Sequence, residues 1–321
     1  MRLTRPHDST HWGTDLDPRP PAAEGDVSPV LRGAAQLLAR ADVPNPDTDA
    51  AALLAHAWGL DASGVARRRL LGDTVPAEVT ATFAQLIDRR RQRTPLQHII
   101  GVAAFRHLEL QVGPGVFVPR PETELLVTEV LEELERQQNT HVPFIIDLCS
   151  GSGAITLSLA TEHRRLRAIG VERETQALNW SLMNLAAVDL GESSVDLVSG
   201  DATTFADDSP QLWASADVVV TNPPYVPDTA VPRDAEVREH DPEAALYGGA
   251  TGLEIPGLII IQAEKLLRPG GFFIMEHSEE QGPAARELIM STASLRQAAT
   301  YPDYTGRDRY TVAHRVTGVD R

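Results

Sequence analysis

Phe144-Ile145-Ile146-Asp147-Leu148-Cys149-Ser150-Gly151-Ser152-Gly153 is the stretch on which the fold turns. Its first five residues are a short, mostly apolar run of the kind that a strand buried on both faces requires. The next five are glycine and small polar residues, and Ala154 to Ala160 then continues as an apolar helix. Strand, glycine turn and helix start in that order build a nucleotide-type site. Glycines let a ligand approach the backbone, and the helix N-terminus offers unpaired N–H groups.

Further along the chain, a second strand ends in Val171-Glu172, about twenty residues past Gly153. A carboxylate there can accept hydrogen bonds from both hydroxyls of a ribose. A dinucleotide fingerprint needs a third glycine three residues after Gly153, where Thr156 stands, so adenosine without a pyrophosphate is the expected ligand. Asp147 lies at the mouth of the turn, where its charge suits the amino group of a methionine moiety, and Asp201 follows Ser199-Gly200 at another strand end. The competing reading is a plain tight turn at Gly151 and Gly153, with Glu172 a solvated strand end. Ser152 is not a hydrolase nucleophile, because Ser150 rather than glycine stands two residues before it. Cys149 reads as a packed turn residue.

Strands are expected at Phe144 to Leu148, Ala168 to Val171, Val195 to Val198, Val218 to Thr221 and Phe272 to Glu276, with helices such as Leu258 to Leu267 between them. This alternation implies an α/β, Rossmann-like parallel sheet covered on both faces. An amphipathic helix opening at Pro121-Glu122-Thr123-Glu124 and carrying Leu125, Leu126, Val130, Leu131 and Leu134 precedes it. Between Leu96 and Pro119 the pattern alternates, with Gly101, Gly113 and Gly115, and predicts a strand pair. From Pro29 to about Thr94 the apolar residues recur at helical spacing, as in Val30, Ala34, Leu37 and Leu38 and again in Val79, Phe83, Leu86 and Ile87. Ser28-Pro29 and Val75-Pro76-Ala77-Glu78 mark helix starts, so a small N-terminal helical bundle domain is expected. Residues 1 to about 27 mix Pro, Asp, Gly and Arg without an apolar period and read as a disordered tail. The expected organisation is a tail at 1–27, a helical domain at 28–95, a strand-pair linker at 96–119 and a catalytic domain at 120–321.

A chain of 321 residues, 42% hydrophobic, has enough apolar content for two modules. It contains no run of about 18 apolar residues and its start lacks an apolar signal core, so no membrane span and a cytoplasmic setting are expected. A single cysteine excludes an internal disulfide and a cysteine-based zinc cluster. The ten histidines show no paired helical spacing, so no metal is expected. The formal charge of −16 repels a polyphosphate and disfavours non-specific nucleic-acid binding.

The buried strand Asp217 to Thr221 delivers Asn222-Pro223-Pro224-Tyr225 to the same sheet edge as the glycine turn. Methyl transfer is an in-line displacement at a sulfonium carbon, and an amide nitrogen has its lone pair tied up in resonance. A site for this reaction must hold the NH₂ group and turn that lone pair toward the methyl. The Asn222 side-chain carbonyl and a backbone carbonyl of the proline pair can each accept one N–H, while Tyr225 packs on the planar group. Prolines lock φ and preposition the acceptors. No catalytic base is required, because the methylated nitrogen cation is acidic enough to lose its proton to water. The bland alternative is a turn after a strand, which Asn and Pro favour anyway.

With these residues in hand, the chain resembles the HemK/PrmC family of protein-glutamine N5-methyltransferases over roughly residues 94–312. The matching stretches are Pro95-Leu96-Gln97-His98-Ile99, Phe117-Val118-Pro119-Arg120-Pro121-Glu122-Thr123-Glu124, Asp147 to Gly153, Asn222 to Tyr225 and Gly306-Arg307-Asp308-Arg309. The resemblance implies a Rossmann-like S-adenosylmethionine methyltransferase sheet, with S-adenosylmethionine as cofactor. Asp147, Cys149, Ser150, Gly151, Ser152, Gly153, Glu172, Asp201, Ala202 and Asn222 would bind it. Phe105 and the segment from Arg120 to Glu124, Thr123 included, would wall or cover it, the alternative being a core aromatic and a helix cap.

Asn222, Pro223, Pro224 and Tyr225 would hold the substrate, the glutamine of the Gly-Gly-Gln motif of a peptide-chain release factor. The helical domain would dock that factor. Arg67-Arg68-Arg69 and Arg89-Arg90-Arg91 could meet acidic partner surface, although solvated helix faces are the favoured reading. A monomer with no direct nucleic acid is expected. Departures from the family pattern are Cys149 for a usual Gly, Ser278 for a usual Gly after Glu276, and Asp241 for a usual Glu before Gly248-Gly249. Other readings are glutamine methylation of a ribosomal protein, adenine-N6 or guanine-N2 methylation of nucleic acid, which needs a basic groove, and a binding module without turnover.

Overall fold

The computed structural model describes residues 25–138 and 140–317, which separate into two compact units, residues 1–92 and 93–321. The disordered tail expected at 1–27 lies, for residues 1–24, outside the described residues. Its last three residues are ordered instead. Asp26 bridges to Thr74, the backbone N–H of Val75 bonds to Gly25 O, and buried Val27 begins the first helix. The apolar period therefore starts one residue before Ser28-Pro29, and Pro29 sits inside the first turn, where its missing N–H costs nothing.

Among the described residues, four helices make the first unit: α1 (Val27–Arg40), α2 (Pro46–Trp58), α3 (Ala62–Leu71) and α4 (Ala77–Arg91). Leu38, Leu53, Leu54, Phe83 and Ile87 fill its interior. Arg90, in the middle of the arginine triplet, is not on the surface: its Nε donates to Asp49 Oδ2 at 2.7 Å, both side chains buried. Arg91 pairs with Asp88, and Arg68 pairs with Asp73 while stacking 4.5 Å above the Trp58 ring. Arg67 and Arg69 are exposed.

In the second unit, Leu96 to Ile100 is a short helix, α5 (Leu96–Ile100), rather than strand, closed by Gly101 in the left-handed conformation. The expected strand pair follows it as a hairpin, β1 (Val102–Phe105) and β2 (Leu108–Gln111). A single turn at Pro121–Thr123 leads into α6 (Glu124–Gln137). The remaining elements are β3 (Phe144–Leu148), α7 (Ala154–Glu162), β4 (Arg167–Glu172), α8 (Thr175–Ala187), β5 (Ser194–Ser199), α9 (Phe205–Asp208), β6 (Ala216–Thr221), α10 (Ala235–His240), α11 (Glu243–Leu246), α12 (Glu254–Leu266), β7 (Leu267–Glu276), α13 (Gly282–Met290), β8 (Leu295–Pro302) and β9 (Asp308–Arg315).

The sheet order is β5-β4-β3-β6-β7-β9-β8, parallel from β5 to β7 and antiparallel at β9 and β8. Strand alternation splits the core into two layers. Ile145, Val218, Val220, Phe272 and Ile274 face α6 and α7, whereas Ile146, Leu148, Val219, Phe273 and Met275 face α12 and α13. This is the Rossmann-like α/β sheet that the alternating pattern predicts. The two antiparallel strands close its far edge. Thr300 and Thr311 lie side by side there and share a hydrogen bond at 2.8 Å.

Strand order reverses on either side of β3, so the crevice for a ligand opens between the carboxyl ends of β3 and β6. Register does the rest. Leu148 pairs with Val171 on one side and Thr221 on the other, and Thr221 pairs with Met275. The residues that come next, Glu172, Cys149, Asn222 and Glu276, leave the sheet as one row, each about 4.8 Å from the next.

Candidate active site

Above that row lies a cavity of about 500 Å³. Its wall includes Cys149, Ser150, Gly151, Ser152, Glu172, Asp201, Ala202, Asn222, Pro224, Tyr225 and Thr123. The glycine turn and the proline tetrapeptide therefore meet in one space. Gly153 starts α7 at φ 83° behind this wall, and Pro223 is buried outside it.

Phe105, expected to wall or cover the cofactor, and Asp147, expected at its amino group, lie outside the cavity wall. Phe105 is 1% exposed and packs in the core with Leu110, Leu125 and Leu126, away from the cavity; its apolar ring is worth more there than at a polar rim. Asp147 is fully buried beneath the turn, where Thr156 Oγ1 donates to its Oδ2 at 2.6 Å and its Oδ1 has no partner among the described residues. Burial pushes this carboxyl up to about 7. Its place is under the turn, bracing the start of α7.

The turn takes its shape from backbone conformation. Cys149, Gly151 and Gly153 have φ of 73°, 56° and 83°, and the N–H groups of Cys149 and Ser150 both bond to Val171 O. Left-handed φ suits glycine, so Cys149 holds a conformation that costs a residue with a side chain. The Cys149 thiol is pushed up by burial and by Glu172, far from reactivity. Both Glu172 oxygens accept backbone N–H groups, from Gly151 at 2.8 Å and Glu174 at 2.7 Å, and burial raises its pKa. A carboxylate has about four acceptor sites, so lone pairs remain on the cavity side. Asp201 Oδ1 accepts from both the backbone N–H and the hydroxyl of Thr203.

The tetrapeptide is held from outside. Asn222 Nδ2 donates to Thr123 Oγ1 at 3.1 Å, and Thr123 Oγ1 donates in turn to Glu276 Oε2 at 2.7 Å. Tyr225 donates its hydroxyl to Glu276 Oε1 at 3.1 Å; burial pushes that hydroxyl up, so it stays a donor. The Tyr225 backbone carbonyl accepts from Gln281 Nε2 at 2.9 Å. Gly252, at φ 80°, lets this carbonyl pass where a Cβ would stand 2.2 Å from it.

Several wall residues escape a reading by motif. Glu276 is 2% exposed, and burial raises its pKa against the Thr123 hydrogen bond and the Arg309 charge. A carboxylate at the end of a parallel strand, the signal that picked out Glu172, was equally present here. Arg309 lies in a matched stretch of sequence but reaches the cavity only because β9 pairs with β7. Arg120 donates to buried Asp241 Oδ2 at 2.8 Å, and Asp241 Oδ1 has no partner among the described residues; burial pushes this carboxyl up to about 6 despite the arginine. No local pattern links residues so far apart.

A parallel sheet with a glycine turn after its first strand, a carboxylate after the second and Asn-Pro-Pro-Tyr after the fourth defines a Rossmann-like methyltransferase. Residues 29–101 match the PrmC N-terminal domain and residues 109–238 the methyltransferase small domain. Release factor glutamine methyltransferases of Bifidobacterium longum and Streptomyces coelicolor are 42% and 44% identical, over 89% and 88% of this chain and 99% and 96% of theirs. That of Mycolicibacterium smegmatis is 38% identical over 89% of this chain and 97% of its own. The chain belongs to the family of release factor glutamine methyltransferases.

Proposed function

We propose that this enzyme transfers a methyl group from S-adenosylmethionine to the side-chain amide nitrogen of the glutamine in the Gly-Gly-Gln motif of a peptide-chain release factor. The observation that carries this reading is the register that brings Cys149 and Asn222 out of neighbouring strands into one cavity. Family membership supports it independently.

The residues fit the cofactor. A cavity of about 500 Å³ is of the size that takes a nucleoside-sized ligand. Ser150 Oγ is buried there without a partner among the described residues, and Glu172 keeps free acceptor sites for ribose hydroxyls. When bound, S-adenosylmethionine supplies an electrophilic methyl on a sulfonium sulfur. Asn222 Oδ1 accepts one N–H of the substrate amide and turns its nitrogen lone pair toward the turn. The tetrapeptide is prepositioned by its prolines and outside bonds, so little ordering is left for the moment of reaction. The methylated nitrogen loses its proton to water. The enzyme works as a cytoplasmic monomer without nucleic acid, and the charge of −16 supports the last point.

Incubation of the purified protein with cofactor and release factor, followed by mass spectrometry, is expected to find one added methyl on the Gly-Gly-Gln peptide. A peptide of unchanged mass would overturn the reading.

A further inference from the structure

A primary amide has a donor end and an acceptor end of nearly equal shape, so an asparagine in a binding site can serve either a donor or an acceptor. Which end faces the ligand is set by what holds the other. Here the answer follows from a chain of three side chains. The Thr123 hydroxyl has a single proton, and it donates that proton to Glu276 Oε2 at 2.7 Å. Thr123 Oγ1 is then left with lone pairs alone toward Asn222 and receives the Nδ2 proton at 3.1 Å. The Asn222 amide cannot turn over without setting two acceptors against each other.

We propose that Glu276, acting through Thr123, is a positioning residue that commits the Asn222 amide to present its oxygen to the substrate, and thereby selects glutamine over glutamate. This inference rests on the methyl-transfer reading above. Glutamine offers N–H to an oxygen; the carboxylate of glutamate offers only acceptors and meets repulsion. The same carboxylate holds Tyr225 through its other oxygen, so one buried acid sets both ends of the tetrapeptide.

The test uses the full chain with Thr123→Val, which keeps the shape and removes the hydroxyl, alongside Thr123→Ser and Glu276→Gln. For Thr123→Val, kcat on the release factor is expected to fall about 10- to 100-fold, with the Kd for S-adenosylmethionine within about threefold of wild type. Inhibition constants of Gly-Gly-Gln and Gly-Gly-Glu peptides give the readout that mere loosening of the site would not move. The wild-type preference for the glutamine peptide is expected to narrow about tenfold in Thr123→Val. Thr123→Ser restores it, and Glu276→Gln, whose amide permits either polarity, falls between. The inference is overturned by an unchanged peptide preference in Thr123→Val, or by a Thr123→Ser variant that behaves like it. If the wild type methylates no glutamine, the functional reading falls, and the polarity is then read from the side-chain amide protons of Asn222, assigned by their loss in Asn222→Asp. Exchange that is slow in wild type and fast in Thr123→Val upholds the network, and equal exchange in both refutes it.

Discussion

The turn after β3 and the tetrapeptide after β6 stand side by side, yet they are built by opposite means. From Cys149 to Gly153 the chain shapes itself: three left-handed residues, two bonds to the neighbouring strand, and an acid beneath. From Asn222 to Tyr225 the shape is imposed by Thr123, Gln281 and Glu276, with Gly252 making room. A site that binds backbone to ligand needs only local conformation. A site that must orient one amide against another needs side chains whose own orientation is fixed.

The sharpest way to break this comparison is Asn222→Ala. It is expected to lower kcat by about 10²- to 10³-fold, by analogy with removal of one oriented transition-state contact, while calorimetry finds a much smaller loss of cofactor affinity. A parallel loss of cofactor binding would mean that the two segments act as one.

The turn answers to pH instead. The folded-state value of Asp147, about 7, lies above its ordinary 3.8, so the folded protein holds this proton more tightly. Its contribution to stability is full below about pH 4 and is lost as pH rises through 7. Asp147→Asn is expected to flatten stability against pH across that window and to raise the unfolding free energy at pH 8 by about 2 kcal/mol. Thermal melts of both proteins from pH 4 to 8 check this, and parallel curves would contradict it.

The smallest effect sharpens the comparison. Cys149→Gly relieves a left-handed non-glycine residue and is expected to stabilise the protein by about 0.5–1 kcal/mol, net of the added freedom of the unfolded chain. Denaturant titration measures it. No matching gain is expected from a glycine inside the tetrapeptide, whose shape is held from outside.

The same contrast marks how much was legible beforehand. Strand β3, the glycine turn, Glu172 and the tetrapeptide were readable because each is a short run with its own conformational preference. The helical character of Leu96–Ile100 was not, because five residues with two isoleucines fit a strand as well as a helix. Strands β8 and β9, which carry no distinctive run, also escaped. Phe105 and Asp147 were placed in the neighbourhood of the cofactor, but burial depth decides whether a side chain lines a cavity or supports it, and depth is a property of packing.

By itself the sequence determined the class of fold, the two binding segments and their chemistry, since periodicity, turn residues and residue types are local. Only the tertiary structure decided that Glu276 and Thr123, 153 positions apart, close on Asn222. Sheet register and the packing of α6 against β6 and β7 bring them together, and hydrogen bonds between such distant residues leave no pattern along the chain.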